Sequence, residues 1–443
     1  MAVKIGMVSL GCPKNQVDAE IMLSFLAKGG FEICGDENEC EVIIVNTCGF
    51  IGDAKQEAID NIIELGEIKG KGKLKKIVVT GCLAERYREE ILNEMPEVDA
   101  VVGIGENKNI CEIIEKVLAE ESFGQFSDKC NLLMDADRLL TSPPYTAYLR
   151  IADGCDNCCT YCAIPKIRGA FRSRKMENVL EEAKSLAENG AKEIILIAQD
   201  TTRYGEDLYG EYKLPELLDE LQRIDGIEWI RILYAYPDKI TDELVSAMKR
   251  NSKVLHYIDI PMQHASDKIL KAMNRKGDSA LLDSVIKKLR TAMPDITIRT
   301  TFIVGFPDES EEDFTLLAEF VQKQKFNRMG AFKYSPEEDT PAAEFDNQID
   351  EDVKERRLEV IMAEQSVVNE TQAESFIGTT QQVLVEGYDR MNKCYYGRSK
   401  MDAPDIDGKV YFMSEKSYNE GDFVTLSIYD RIDYDLLGQT DEL

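Results

Sequence analysis

Cys155, Cys159 and Cys162 form a C-x3-C-x2-C run within Cys155-Asp156-Asn157-Cys158-Cys159-Thr160-Tyr161-Cys162. Three thiolates that close in sequence can each take one iron on a face of an iron–sulfur cube, whereas a structural zinc ion asks for a fourth ligand. The chain's two histidines, His256 and His264, lie far downstream. A zinc site closed by Cys158 or by a distant residue is the alternative. A cluster held by three cysteines leaves one iron open to a substrate or cofactor.

A second set shares a local setting. Val3 to Leu10 reads as a buried strand running into Gly11-Cys12, Val42 to Val45 runs into Asn46-Thr47-Cys48, and Lys76 to Thr80 runs into Gly81-Cys82. Cys12, Cys48 and Cys82 each fall just past the carboxyl end of a strand, and three such loops can bring their thiols to one point. Helical patterns over Asp18 to Lys28, Ala54 to Leu65 and Glu89 to Glu94 separate the strands, so the segment predicts a parallel sheet with its ligand crevice at those carboxyl ends. Small buried cysteines at strand ends are the alternative. Cys34, Cys40, Cys111, Cys130, Cys158 and Cys394 show no common context and read as incidental thiols.

The elements that must position the central run continue to alternate. Tyr148 to Ala152, Ile194 to Ala198, Trp229 to Ala235, Tyr257 to Pro261, Ile296 to Val304 and Met329 to Tyr334 are strand-like, with helical stretches such as Val179 to Glu188, Leu214 to Gln222, Leu281 to Ala292 and Glu311 to Gln324 between them. Six β/α units predict an open barrel whose chemistry sits on the carboxyl-end face. Polar residues at those strand ends are candidate cofactor contacts: Gln199 and Asp200, Gln263 and His264, Arg299, and Lys333 with Tyr334. A charged helix over Asp350 to Glu374 precedes the short strands Gln382 to Glu386, Val410 to Met413 and Val424 to Ile428, which read as a small antiparallel barrel. The expected divisions are 1–140, 141–372 and 373–443, an α/β chain ending in a β-module.

With 53 Lys and Arg against 82 Asp and Glu, the net charge of −29 argues against a protein that holds nucleic acid through long-range charge. No apolar run is long enough to span a membrane, and Met1 to Gly6 carries no secretory pattern. The cytoplasm is the expected compartment, where cysteine clusters favour metal or redox chemistry over disulfides.

The cysteine run, with its aromatic Tyr161, resembles the radical S-adenosylmethionine superfamily. Its extension Ala163-Ile164-Pro165-Lys166-Ile167-Arg168-Gly169 and Arg172-Ser173-Arg174 resembles the methylthiotransferase branch, whose amino-terminal three-cysteine domain matches Cys12, Cys48 and Cys82 and whose carboxyl-terminal barrel is the TRAM domain. Gly11-Cys12-Pro13-Lys14-Asn15, Gly397-Arg398-Ser399 and Ala403-Pro404-Asp405-Ile406-Asp407-Gly408 resemble the RimO type, which acts on ribosomal protein, more than the MiaB type, which acts on transfer RNA. Pro261 to Ser266 and Met273-Asn274-Arg275 match the family, while Gly305-Phe306-Pro307-Asp308 departs from it by lacking a glycine after the proline.

The resemblance implies two [4Fe–4S] clusters, one on each triad, with Cys12, Cys48, Cys82, Cys155, Cys159 and Cys162 as metal ligands and catalytic residues. It also implies S-adenosylmethionine, for which the strand-end residues Gln199, Gln263 and Arg299 are the foremost candidate contacts. One molecule methylates a sulfur on the amino-terminal cluster, and another gives the radical that takes hydrogen from an aspartate β-carbon. The implied substrate is small-subunit ribosomal protein twelve, the implied reductant a flavodoxin or ferredoxin, and nucleic acid is not the expected substrate. A MiaB-type enzyme and a noncatalytic iron–sulfur carrier or assembly factor are the other readings, though a carrier needs fully ligated clusters and has no use for a barrel. From Ile377 onward there are seven Lys and Arg against thirteen Asp and Glu. That module, with Asp402, Asp405 and Asp407 foremost, is expected to attract a basic protein.

Overall fold

Val42–Thr47 is buried at every position, as a strand must be when helices cover both faces of its sheet. It lies inside a six-stranded parallel sheet in the order Glu32–Ile33, Lys4–Ser9, Val42–Thr47, Lys76–Gly81, Ala100–Val102 and Phe123–Gln125. The first and the last two strands are only two or three residues long, too short for a hydrophobic pattern to mark them. The structure, a computed structural model, describes residues 2–119 and 122–440.

The second sheet is the expected set of six parallel strands: Thr146–Arg150, Glu193–Ile197, Trp229–Ile232, Val254–Asp259, Thr297–Val304 and Arg328–Lys333. Ala147, Leu149, Ile194, Leu196, Ile230, Ile232 and Ile298 face the surrounding helices. The alternate residues Ile195, Ile197, Trp229, Leu233 and Tyr257 form the inner core. The helix Glu351–Ser375 then leads to a closed five-stranded barrel of Thr380–Asp389, Cys394–Ser399, Val410–Met413, Asp435–Gln439 and Phe423–Ile432. One of its pairings, Val410–Met413 with Asp435–Gln439, is parallel. Among the described residues no helix is long and apolar enough to cross a membrane.

Two joints fix these parts together. The helix Pro13–Lys28 begins five residues earlier than its apolar pattern suggests, because Pro13 suits a first turn and the polar residues that follow are buried. One side of this helix gives Met22 and Leu26 to the first sheet's core, and another gives Val17 and Ile21 to the inner core of the second. At the opposite end the carboxyl-terminal barrel covers the strand starts. Glu193, fully buried, accepts from Arg231 at 2.8 Å and from Arg398 at 2.6 Å. Burial pushes its carboxyl up, but the Arg398 and Arg231 guanidiniums bring it below the usual carboxylate range.

That joint corrects an expectation. Asp402 is buried, accepting from Arg328 at 2.5 Å and from Ser399, and Asp407 accepts from Tyr257 Oη at 2.7 Å. Their charges answer barrel arginines and a phenol rather than facing a partner, and only Asp405 of the three is exposed. Breaking one member of a buried ion pair costs about 3–5 kcal/mol because the other charge is stranded. Arg398→Met should therefore lower stability by about that amount, read as an earlier midpoint in chemical denaturation; an unchanged midpoint would show that the barrel-to-barrel joint carries little of the fold's stability.

Candidate active site

Each cysteine triad is held by backbone that leaves little freedom. Gly154, at φ +80°, lies so close to Ala170 that an added Cβ would stand 2.0 Å from its carbonyl oxygen, so the turn into Cys155 needs glycine. The Cys155 amide donates to the Gly169 carbonyl, Thr160 donates through its amide to Met273 and through its hydroxyl to Ala272, and the Ala342 amide donates to Thr160. The loop is thus pinned to the end of Asp267–Ala272 and to the segment after the sixth strand. Cys155 and Cys159 are buried and Cys162 is half-buried. Burial pushes the Cys155 thiol up to about 11 and the Cys162 thiol up as well.

In the amino-terminal triad, Cys12 caps the start of Pro13–Lys28, Cys48 follows Val42–Thr47, and Cys82 is the first residue of the helix Cys82–Tyr87. Gly81, at φ +93°, would drive a Cβ to 2.4 Å from the Thr47 carbonyl oxygen, so glycine lets the Cys48 and Cys82 loops lie side by side. Cys12 and Cys48 both act electrostatically on Cys82, whose thiol burial pushes up to about 12. Asn15 bridges the loops, donating to the Leu10 and Thr47 carbonyls at 3.2 and 2.8 Å.

The amino-terminal triad lies against the segment that follows the second triad in the chain. Cys82 packs with Ala163, next after Cys162, and with Ile167 one turn further on. Arg168, which closes the helix Ile164–Arg168, reaches Cys82 Sγ at 3.5 Å. Lys14 is buried between the two sides, its ammonium over the Tyr234 ring at 3.2 Å and directed to the Ala198 carbonyl at 3.5 Å. Further out, Glu337 accepts from Lys55 at 2.9 Å and from Arg86 at 2.8 Å.

The donor sets fit iron–sulfur clusters better than a lone ion. A cubane takes one thiolate per iron, so its ligands need not meet on one centre. Each triad also has a guanidinium aimed at one of its sulfurs, Arg168 at Cys82 and Arg275 at Cys159, the latter at 3.7 Å. A buried thiol has little need of a cation; a buried thiolate ligand does.

The polar candidates divide. Gln199 presents a buried amide oxygen without a hydrogen-bond partner, and the Tyr334 hydroxyl likewise has none, which leaves them able to meet a ligand, whereas His264 Nε2 stands 3.9 Å from the buried Glu309 carboxylate. Asp200 is spoken for by Lys239 at 3.1 Å and Asn157 at 3.0 Å. Gln263, at φ +72°, uses its backbone to bridge to Thr301 and Ile303 of the fifth strand. Arg299 pairs with Asp259 at 3.0 Å and lies 3.8 Å from Asp407 of the carboxyl-terminal barrel; two carboxylates already answer its charge. Lys333 is tied to Glu351 and Glu355. The position where the family carries glycine, Asp308, does adopt a left-handed φ of +64°, which aspartate tolerates and Asn347 stabilises by accepting the Asp308 amide on its carbonyl. Lys14, Asn15, Asp18, Arg168, Tyr236 and Arg275 also belong to the site; Lys14, Asn15, Arg168 and Arg275 lie in the family-like motifs, while Asp18 and Tyr236 carry no sequence signal.

Residues 4–103 match an uncharacterized protein family, UPF0004, residues 149–321 the radical SAM superfamily, and residues 377–440 the TRAM domain. The ribosomal protein uS12 methylthiotransferase RimO of Geobacter sulfurreducens is 51% identical over 439 residues, covering 98% of each chain. Its namesake from a Thermoanaerobacter species is 49% identical over 437 residues, covering 98% of this chain and 99% of its own. Among solved structures, the radical S-adenosylmethionine methyltransferase TsrM of Kitasatospora setae superposes with a TM-score of 0.58 at 14% identity, over 77% of each chain, a likeness of fold. Three strand-end cysteines, a C-x3-C-x2-C loop and a closed terminal barrel in one chain, with half its residues shared along the full length, place it: the chain belongs to the RimO family of ribosomal protein uS12 methylthiotransferases, within the radical SAM superfamily.

Proposed function

We propose that this chain transfers a methylthio group to the β-carbon of an aspartate in ribosomal protein uS12, using one cluster on Cys155, Cys159 and Cys162 and a second on Cys12, Cys48 and Cys82. The observation that carries this reading is the contact between the two cysteine segments, with Cys82 packed on Ala163 and Ile167. When bound, the first cluster and S-adenosylmethionine supply reductive cleavage and hydrogen abstraction, and the second supplies the sulfur.

The chain's own residues bind and orient. The loop from Cys155 to Cys162 is pinned on three sides by Gly169, Ala272 with Met273, and Ala342, so its thiols keep their spacing through a catalytic cycle. Gln199 and Tyr334 offer unfilled polar atoms for the cofactor's amino acid and ribose groups. Lys55 and Arg86 tie the amino-terminal domain to Glu337 of the central barrel, which holds the two cysteine segments in contact. The reductant is a flavodoxin or ferredoxin, and the reaction belongs in the cytoplasm.

Binding of a basic substrate falls to the outer surface of the terminal barrel, where Asp405, Glu415, Glu420, Asp430 and Asp433 are exposed. Rim charges are screened by salt, so substrate KM should rise with ionic strength while S-adenosylmethionine cleavage without substrate stays level. A KM indifferent to salt would remove charge from the account of docking. To test the reaction itself, reconstituted protein is incubated with sulfide, S-adenosylmethionine and a reductant, offering free uS12 and transfer RNA together. The expected product is uS12 bearing methylthio on one aspartate; methylthioadenosine in the transfer RNA instead would overturn the substrate assignment.

A further inference from the structure

Both triads have one sulfur within reach of an arginine, and both arginines come from the central barrel. Arg168 is 1% exposed. Its Nη1 edge donates to Asp18 at 2.7 Å and Asp153 at 3.3 Å, while Nη2 donates to Asn15 Oδ1 and to Cys82 Sγ at 3.5 Å. Arg150 shares the same two carboxylates, and Arg172 lies 3.9 Å from Asp153, so the two aspartates hold the guanidinium plane from one edge. Asn15 is itself locked by the Leu10 and Thr47 carbonyls. Nothing in this arrangement needs the Cys82 sulfur, yet the remaining N–H is turned onto it. Arg275 is arranged differently. It donates to the Pro261 carbonyl at 2.7 Å, lies 4.1 Å from the Tyr236 ring centre, and points Nη1 at Cys159 Sγ, with the Tyr236 hydroxyl 3.4 Å from the same sulfur. Among the described residues it has no carboxylate partner.

Hydrogen bonds and positive charge at a ligand sulfur withdraw electron density from the cluster and make it easier to reduce. We infer that Arg168 is a positioning residue of the barrel that sets the reduction potential of the amino-terminal cluster through Cys82, as Arg275 and Tyr236 do for the barrel's own cluster through Cys159. The amino-terminal cluster then has its proper potential only while its domain is docked, because the group that tunes it belongs to the next domain. This rests on the two-cluster reading above.

The test is an electron paramagnetic resonance-monitored redox titration of each cluster separately. Full-length chain with Cys155, Cys159 and Cys162 replaced by alanine carries the amino-terminal cluster alone, and chain with Cys12, Cys48 and Cys82 replaced carries the other. Into each go Arg168→Gln and Arg168→Lys, with Tyr236→Phe as the crosswise variant. Arg168→Gln should make the amino-terminal cluster at least tenfold harder to reduce at a fixed potential, a shift of about 59 mV for one electron, and Arg168→Lys should restore part of it. Neither should move the other cluster, which Tyr236→Phe alone should shift. Iron is counted first. Absence of iron from the amino-terminal triad in the parent background would refute the two-cluster reading. Iron present with an unmoved potential in both Arg168 variants would refute the tuning role. Iron lost in Arg168→Gln, with an ordinary potential in Arg168→Lys, would mark a structural arginine and refute it too.

Discussion

Replacing Cys155, Cys159 and Cys162 together by alanine should abolish reductive cleavage of S-adenosylmethionine, leaving 5′-deoxyadenosine at the level of buffer, and with it all methylthio product. The cause is local. These three thiols belong to one loop whose backbone is fixed from three sides, and no other described side chain can take their place: Cys158 is exposed and its φ of +51° points it out of the triad's turn. The substitutions remove small side chains from a loop held mainly by backbone hydrogen bonds, so the variant should fold, with the circular dichroism of the parent. Cleavage that persisted in the triple variant would mean that the reductive step runs elsewhere.

The expectation for the other triad differs in kind. Without Cys12, Cys48 and Cys82 the chain should still cleave S-adenosylmethionine, since the Cys155 loop takes its hydrogen bonds from Gly169, Ala272, Met273 and Ala342, and the loss of Cys82 removes only one packing contact beyond it, on Ala163 and Ile167. It should nevertheless form no methylthiolated uS12. High-performance liquid chromatography of 5′-deoxyadenosine and mass spectrometry of uS12 in the same reaction read the two outcomes together. Loss of both activities would mean that the amino-terminal triad serves the radical step or that its removal undocks the domains; retention of both would leave that triad no part in the reaction.

Much of this was legible in the residues. The six cysteines announce themselves by spacing and by their common place after apolar runs, and parallel strands buried on both faces leave continuous apolar stretches that are hard to miss. Val410–Met413, Glu89–Glu94 and Glu311–Gln324 appear with the bounds their patterns give. What escaped has physical reasons. Glu32–Ile33 is two residues long, so Cys34, which follows it directly, did not show that it too stands at a strand end. Pro13 to Asp18 hides the first turn of a helix because its polar residues are buried by two domains at once, a state that hydropathy cannot express. Asp402 and Asp407 look like surface acids in a polar turn, and only the approach of Arg328 and Tyr257 from another domain turns them inward. Arg168 and Arg275 lie in stretches that resemble the family, yet their contact with a cysteine sulfur is not legible there, since a buried arginine differs from an exposed one only in what surrounds it.

If each cysteine triad holds a cluster, the chain carries two, and counting iron and acid-labile sulfide in anaerobically reconstituted protein reads that number directly. The parent should hold about eight irons per chain and each triple-alanine variant about four, with no zinc in any of them. About four irons in the parent, unchanged when Cys12, Cys48 and Cys82 are removed, would contradict the account and leave a single-cluster enzyme with a structural amino-terminal domain.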